Sequence, residues 1–381
     1  MTHINSRERL QTVIAGKIPD CVPVAPDTSN MIPSKLTGKP FWDIYLYQDP
    51  PLWLAYINCV KHFGFDSLMD GYASIEFDDL VFEEYPYDMR AIVYRDAQRI
   101  VVQDYTKVNG NYRWNDTVTV YYAADPPTSG VKPDTVRLPD IPDAFEPVEG
   151  VRQWPKGEEL LALVKSELGD RGLVGVYCGT TLLVHSESQI YDFYDNPDKY
   201  VDRRDRLLEY YEKRFKRLMS LSCKPDFIAT GGSGTFIHQT PETFRLLGLP
   251  IVKRMTALAK EYGLPSHIHS CGPEKGLVKI CAEETDLTII DPLEIPPMGD
   301  CDLRELKRLY GGRMVLKGNL HTTSVMLHGS VRDVVDASKR AIDDAAEGGR
   351  FILSTGDQCG RDTPHENIFA MIETARTYGK Y

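Results

Sequence analysis

Short apolar runs rich in Val, Ile and Leu recur along the chain between longer amphipathic stretches. That alternation is expected of parallel strands joined by helices. Eight segments read as strands: Val22–Ala25, Ser67–Asp70, Leu173–Cys178, Asp226–Thr230, Ser266–His269, Leu287–Ile290, Met314–Lys317 and Phe351–Ser354. Eight parallel strands predict an α/β chain closed into a (β/α)8 TIM barrel. Between them, Tyr200–Leu221 places Leu207, Leu208, Tyr211, Phe215 and Leu218 at helical spacing with charges on its other side. Helix starts are signalled at Thr240-Pro241-Glu242 and at Thr363-Pro364-His365-Glu366, where a capping hydroxyl precedes a first-turn proline and an acid. From about Ile75 to Asp140 the pattern changes to alternating strands around the turn signal Asn109-Gly110, followed by a Pro-rich exit. This predicts an antiparallel meander inserted near the active-site mouth of one domain spanning 1–381.

Composition narrows the picture little. Hydrophobic residues at 42% and charged residues at 26% describe an ordinary globular protein with a sizeable core. The net charge of −11 argues against nucleic acid as partner, because phosphate backbones need a surplus of Lys and Arg on one face. No apolar stretch has the length of a signal peptide or a membrane span, so a cytoplasmic protein without membrane contact is expected. Eight cysteines spread over 381 residues read as reduced thiols rather than a disulfide framework.

Chemistry concentrates in Ser266-His267-Ile268-His269-Ser270-Cys271-Gly272. Alternate strand residues share a face, so His267, His269 and Cys271 point one way, and Cys271 falls where the strand gives out into its loop. A second thiol, Cys359, follows the last predicted strand at the same rim. One imidazole and two thiolates match the ligand set of catalytic zinc sites, which keep a fourth position open. With two thiolates the ion is formally neutralised. The competing reading is that free cysteine is simply among the most buried residue types, and spacing alone leaves both open. Cys178 also ends a predicted strand at the rim. Other polar residues at strand ends are Asp27, Asn30, His185, Glu187, Asp291, Glu294, Asn319, His321, Asp357 and Gln358. Tyr85, Tyr87, Tyr105 and Trp114 of the meander are candidates for an aromatic pocket, with strand packing as the alternative.

Several segments resemble the uroporphyrinogen decarboxylase superfamily, and within it the zinc-dependent corrinoid methyltransferases. They are Arg7-Glu8-Arg9 through Pro19-Asp20-Cys21-Val22-Pro23, Pro241-Glu242-Thr243-Phe244, Leu249-Pro250, His269-Ser270-Cys271-Gly272, Ser354-Thr355-Gly356 and Thr363-Pro364-His365-Glu366-Asn367-Ile368. The resemblance implies zinc held by His269, Cys271 and Cys359. The late cysteine here follows Gly356-Asp357-Gln358, whereas the family often has it directly after the glycine. The resemblance also implies a partner corrinoid protein carrying cobalamin, and a methyl donor of the methoxylated-aromatic class whose methyl goes to cobalt(I). Methyl transfer from methylcobalamin to a thiol of the coenzyme M type is the alternative on the same scaffold. Porphyrinogen decarboxylation is a second alternative, disfavoured because Asp27–Pro33 lacks the arginine-rich loop that reads the porphyrinogen's carboxylates. Asp27, Asn30, Glu187, Asn319 and Gln358 are expected around the substrate, His267 behind the metal ligands, and a homodimer stays open.

Overall fold

A computed structural model of the chain describes residues 4–72, 75–77 and 79–381. Its strands, in chain order, are β1 (Ser67–Met69), β2 (Met89–Arg95), β3 (Arg99–Val108), β4 (Asn111–Tyr122), β5 (Thr128–Val131), β6 (Glu146–Pro147), β7 (Gly172–Tyr177), β8 (Phe227–Ala229), β9 (Ser266–His269), β10 (Ile289–Asp291), β11 (Val315–Leu320) and β12 (Phe351–Thr355). The chain divides into two compact units. The first comprises Met1–Thr28, Val60–Leu80 and Lys156–Tyr381; the second comprises Ser29–Cys59 and Val81–Pro155.

In the first unit seven parallel strands follow the order β1-β7-β8-β9-β10-β11-β12. Helices Pro197–Met219, Leu249–Glu261, Lys275–Glu284, Leu303–Tyr310 and Val331–Ala345 carry the chain from each of β7 to β11 to the next strand. The eighth predicted strand, Val22–Ala25, is a short bridged segment. Leu353 donates its N–H to the Pro23 carbonyl at 2.9 Å and accepts from Ala25 at 2.9 Å, while Asp66 donates to the Val24 carbonyl at 2.8 Å. The segment therefore joins β12 to the chain entering β1, and the sheet curls into a closed ring of TIM-barrel type. Pro23 has no N–H to give, which limits the ladder to this bridge.

Inside the ring, at the strands' N-terminal half, Ala25, Leu68, Leu173, Phe227, Ile289, Val315 and Ile352 form one buried cluster, closed by Leu10 and Val13 of the first helix. Burying each large side chain there contributes on the order of 1.5–3 kcal/mol. Thr240 caps its helix as expected, its hydroxyl accepting from the Thr243 N–H at 3.1 Å. The other predicted cap does not form. The last helix begins at His365 behind Pro364, and the Thr363 hydroxyl lies beside the Cys359 thiol instead.

The second unit holds an antiparallel sheet ordered β5-β4-β3-β2-β6. Asn109 and Gly110, at φ 50° and 82°, make the two-residue turn between β3 and β4; both central residues of a type I′ turn need positive φ. Both faces of β3 are covered, Ile100 and Val102 packing with Leu46, Ile92 and Tyr121, and Val101 with Val118 and Val120. Tyr105, Tyr112, Trp114 and Phe145 stack on one another. Tyr85 meets Tyr87 edge to face and donates its hydroxyl to Asp104 at 2.6 Å. Within this unit these rings serve strand packing.

Candidate functional site

Side chains two apart on a strand share a face. Two positions beyond Ala25, Leu68, Ile289, Val315 and Ile352 of the apolar layer stand Asp27, Asp70, Asp291, Lys317 and Ser354. The ring thus changes from an apolar plug to a charged layer within one pleat. Asp291 is the hub. Its Oδ2 takes a hydrogen bond from Lys317 Nζ, while Oδ1 faces His267 Nε2 at 2.9 Å and His269 Nδ1 at 3.2 Å. The other nitrogen of His267, Nδ1, is 2.8 Å from Asp70 Oδ2.

An ionised carboxylate only accepts, so an imidazole between two of them must donate from both nitrogens and be an imidazolium. Burial alone would favour neutral His267, but Asp291 and Asp70 outweigh it and raise its pKa to about 9. Burial likewise opposes charge on Asp291, yet Lys317, His267 and His269 hold its carboxyl well below the usual range.

One pleat further toward the loops stands His269. With Nδ1 turned to Asp291, its Nε2 is buried, has no hydrogen bond, and lies 3.4 Å from Asp357 Oδ1. Asp27, His269 and Asp357 present ligand atoms within 4.8 Å of one another, and Cys271, Glu294 and Asp357 form a second such group. Asp357 belongs to both and occupies φ 128°, a region non-glycine residues rarely adopt. Glu294 accepts the Gly272 N–H, and burial pushes its pKa up. Burial opposes charge on His269, but Asp291 and Asp357 outweigh it and raise its pKa well above the usual value. A histidine held through one nitrogen by a carboxylate, with the other nitrogen facing further ligand groups, is the arrangement found at metal ligands, where the ion takes the place of the second proton. Nitrogen, sulfur and oxygen donors together suit a borderline ion such as Zn²⁺.

His269 and Cys271 therefore enter this cluster, as does Asp27. Cys359 stands in neither ligand group. Its N–H donates to the Asp27 carbonyl at 2.9 Å, and its buried thiol is pushed up to about 12 by burial, with Asp27 and Asp357 adding to the effect. Asn319 is buried on β11 and donates to the Leu293 carbonyl at 2.9 Å. Gln358 is exposed. Glu187 is exposed at the start of helix Glu187–Asp195, where it accepts from the Tyr191 hydroxyl at 3.3 Å. Asn30 belongs to the second unit and its carbonyl accepts the Ser34 hydroxyl at 2.7 Å. The Cys178 thiol is buried beside the Tyr211 carbonyl, and burial pushes it up to about 12, leaving it inert.

The sequence reading passed over Lys317, Asp70 and Glu274. A lysine at the inward position of an otherwise apolar strand was the available signal for Lys317, since such a charge needs a buried partner. Glu274 is buried with Oε2 accepting from the Leu293 N–H at 2.8 Å, and burial pushes its pKa well up. Nothing in its sequence context marks it.

Residues 232–378, which contain His269, Cys271, Asp291, Lys317 and Asp357, match the family described as Uroporphyrinogen decarboxylase (URO-D). The match is confined to the C-terminal part of the chain, less than half of its length. A methyltransferase from Methanosarcina mazei shares its fold across 99% of both chains, with TM-score 0.61 and 14% identity. A B12-independent methionine synthase from Shewanella sp. W3-18-1 superposes far less closely, with TM-score 0.34 and 13% identity over 63% of this chain and 72% of that one. The endo-beta-1,4-mannanase from Thermotoga petrophila has TM-score 0.37 and 12% identity over 62% and 65%. Among curated protein sequences none matches the chain. Among the described residues no helix is long and apolar enough to cross a membrane.

Proposed function

We propose that this chain is a zinc-dependent methyltransferase that moves a methyl group from a methoxylated aromatic to the cobalt(I) of a corrinoid protein. The observation that carries the reading is the buried Nε2 of His269, which has no hydrogen bond, is fixed from behind by Asp291, and is grouped with Asp27 and Asp357, the latter shared with a second group of Cys271 and Glu294. The fold shared with the Methanosarcina mazei methyltransferase supports the reaction class. His269 and Cys271 hold the metal, with Cys359 as the third ligand by resemblance and Asp357 as its rival by position.

Bound there, zinc supplies Lewis-acid polarisation of the ether oxygen, worth several kcal/mol toward departure of a phenolate whose ordinary pKa is about 10. The chain's own residues do the rest. Asp291 holds the Nδ1 proton of His269, which leaves Nε2 as the nitrogen that would bind the ion in place of its proton. Lys317 and His267 neutralise Asp291 from below, which stops its charge from drawing His269 out of position. Glu294 and Asp357 offer carboxyl oxygens that would yield to an incoming oxygen. Carboxylates rather than guanidinium groups in this cluster disfavour a polycarboxylate porphyrinogen as substrate.

Metal analysis of the purified protein tests the site. Zinc near one per chain is expected, lost in His269→Ala and Cys271→Ala with circular dichroism unchanged; retention of zinc by both variants sinks the proposal. Comparing Cys359→Ser with Asp357→Asn identifies the third ligand as the one whose loss releases metal. Zinc-loaded protein is expected to demethylate vanillate-like compounds with a cobalt(I) corrinoid protein. Methylation of coenzyme M from methylcobalamin instead would reverse the direction.

A further inference from the structure

The N-terminal ends of the barrel strands, opposite the cluster around His269, surround a cavity of about 780 Å³. Its walls include Leu173 of β7 together with Asp226, Pro265, Leu287 and Thr288, Met314 and Arg350, which precede β8, β9, β10, β11 and β12. That volume lies within the range of small-molecule sites, roughly 300–1,000 Å³.

Its charges are unevenly matched. Asp226 is already held by Arg7 and by Lys165 at 2.9 Å, and Asp286 by Lys260 at 2.6 Å. Arg313 and Arg350 also line the cavity, and among the described residues neither guanidinium has a carboxylate partner. On a chain of net charge −11 this is a locally positive cleft with apolar walls. Arg350 is also set in place by the backbone. It stands at φ 53°, and its guanidinium lies over Gly16, where a Cβ would collide with it. A side chain given such a berth is not a freely waving surface arginine.

We infer that this cavity binds a small organic anion, its carboxylate or phosphate held by Arg313 and Arg350 and its apolar body lying on the half-buried Ile14, Leu264 and Pro265. Guanidinium groups grip both kinds of anion through paired N–H donors. The site is separate from the metal cluster and stands independently of the methyltransferase reading.

Isothermal titration of the full-length protein with benzoate, phenyl phosphate and inorganic phosphate tests it. Saturable one-to-one binding of benzoate or phenyl phosphate is expected, tighter than inorganic phosphate because of the apolar walls, and whichever binds more tightly names the head group. Arg313→Gln and Arg350→Gln should each weaken binding roughly tenfold, the usual loss for a charged hydrogen-bonding partner. His269→Ala should leave it unchanged. Arg313 is exposed, so its variant stays informative if Arg350→Gln lowers the melting temperature. Absence of saturable binding to any of the three probes overturns the inference, as does binding that survives the double variant or disappears in His269→Ala.

Discussion

Two layers of the same barrel, one pleat apart, follow opposite rules. At the N-terminal half, Leu68, Ile289, Val315 and Ile352 fill space. Two residues on, Asp291 and Lys317 are equally enclosed by the ring and the half-buried Asp70 stands beside them, and these groups are kept there by one another and by His267. An apolar layer loses stability in proportion to the volume removed, because only contact and water exclusion hold it. A charged layer fails when one partner goes, because the remaining charge has no water to turn to. The barrel thus joins a volume-tolerant floor to a chemically strict shelf, and the cluster around His269 stands on the shelf.

The largest effect should come from the hub. Asp291→Ala leaves Lys317 and His267 without their shared carboxylate and is expected to cost about 3–5 kcal/mol, the range for breaking a buried pair, read from urea denaturation midpoints. A cost below that of a single methyl deletion would erase the contrast between the layers. Next, Leu68→Ala in the floor should cost about 2–5 kcal/mol as a cavity while leaving zinc content per folded chain unchanged; metal loss there would mean the layers are mechanically coupled. Ile289→Val sharpens the same point with about 0.5–1.5 kcal/mol and unaltered metal content.

The smallest effect concerns acid. At the outer edge of the floor, Arg9 pairs with Asp20 and Asp66, both at 2.8 Å. Burial opposes the charge of Asp20, but the Arg9 guanidinium wins and holds its carboxyl at about 2. A folded-state value below the ordinary carboxylate value of about 3.9 makes its contribution complete above about pH 4. That contribution is lost as pH falls through about 2. Asp20→Asn should therefore flatten the acid limb of a stability–pH curve between those values. An acid limb identical to that of the unmutated protein would remove Asp20 from the account.

Much of this organisation is legible along the chain, for a physical reason. Seven predicted strands appear within a few residues of their expected bounds because parallel strands buried on both faces are written as apolar runs. Ser266–His269 carries over unchanged. The Asn109-Gly110 turn is legible because its backbone angles admit few other residues. The second unit also takes in Ser29–Cys59, which lies far upstream of the meander pattern. Its apolar surface is shared across the chain, and local periodicity does not register such sharing.

The site divides along the same line. His269 and Cys271 are legible because strand parity and the strand's end are local properties, and Asp27 because it follows a predicted strand. The sequence by itself determined the order of strands and helices, the inward parity of each strand, and the concentration of histidine and cysteine at one rim. Only the tertiary structure decided that Asp291 faces two histidines and a lysine, that Asp357 comes beside both His269 and Cys271 and Glu294 beside Cys271, and that Cys359 points among threonines. Parity says which way a side chain faces, whereas partners are set by register between strands and by closure of the ring, which bring together groups dozens of residues apart.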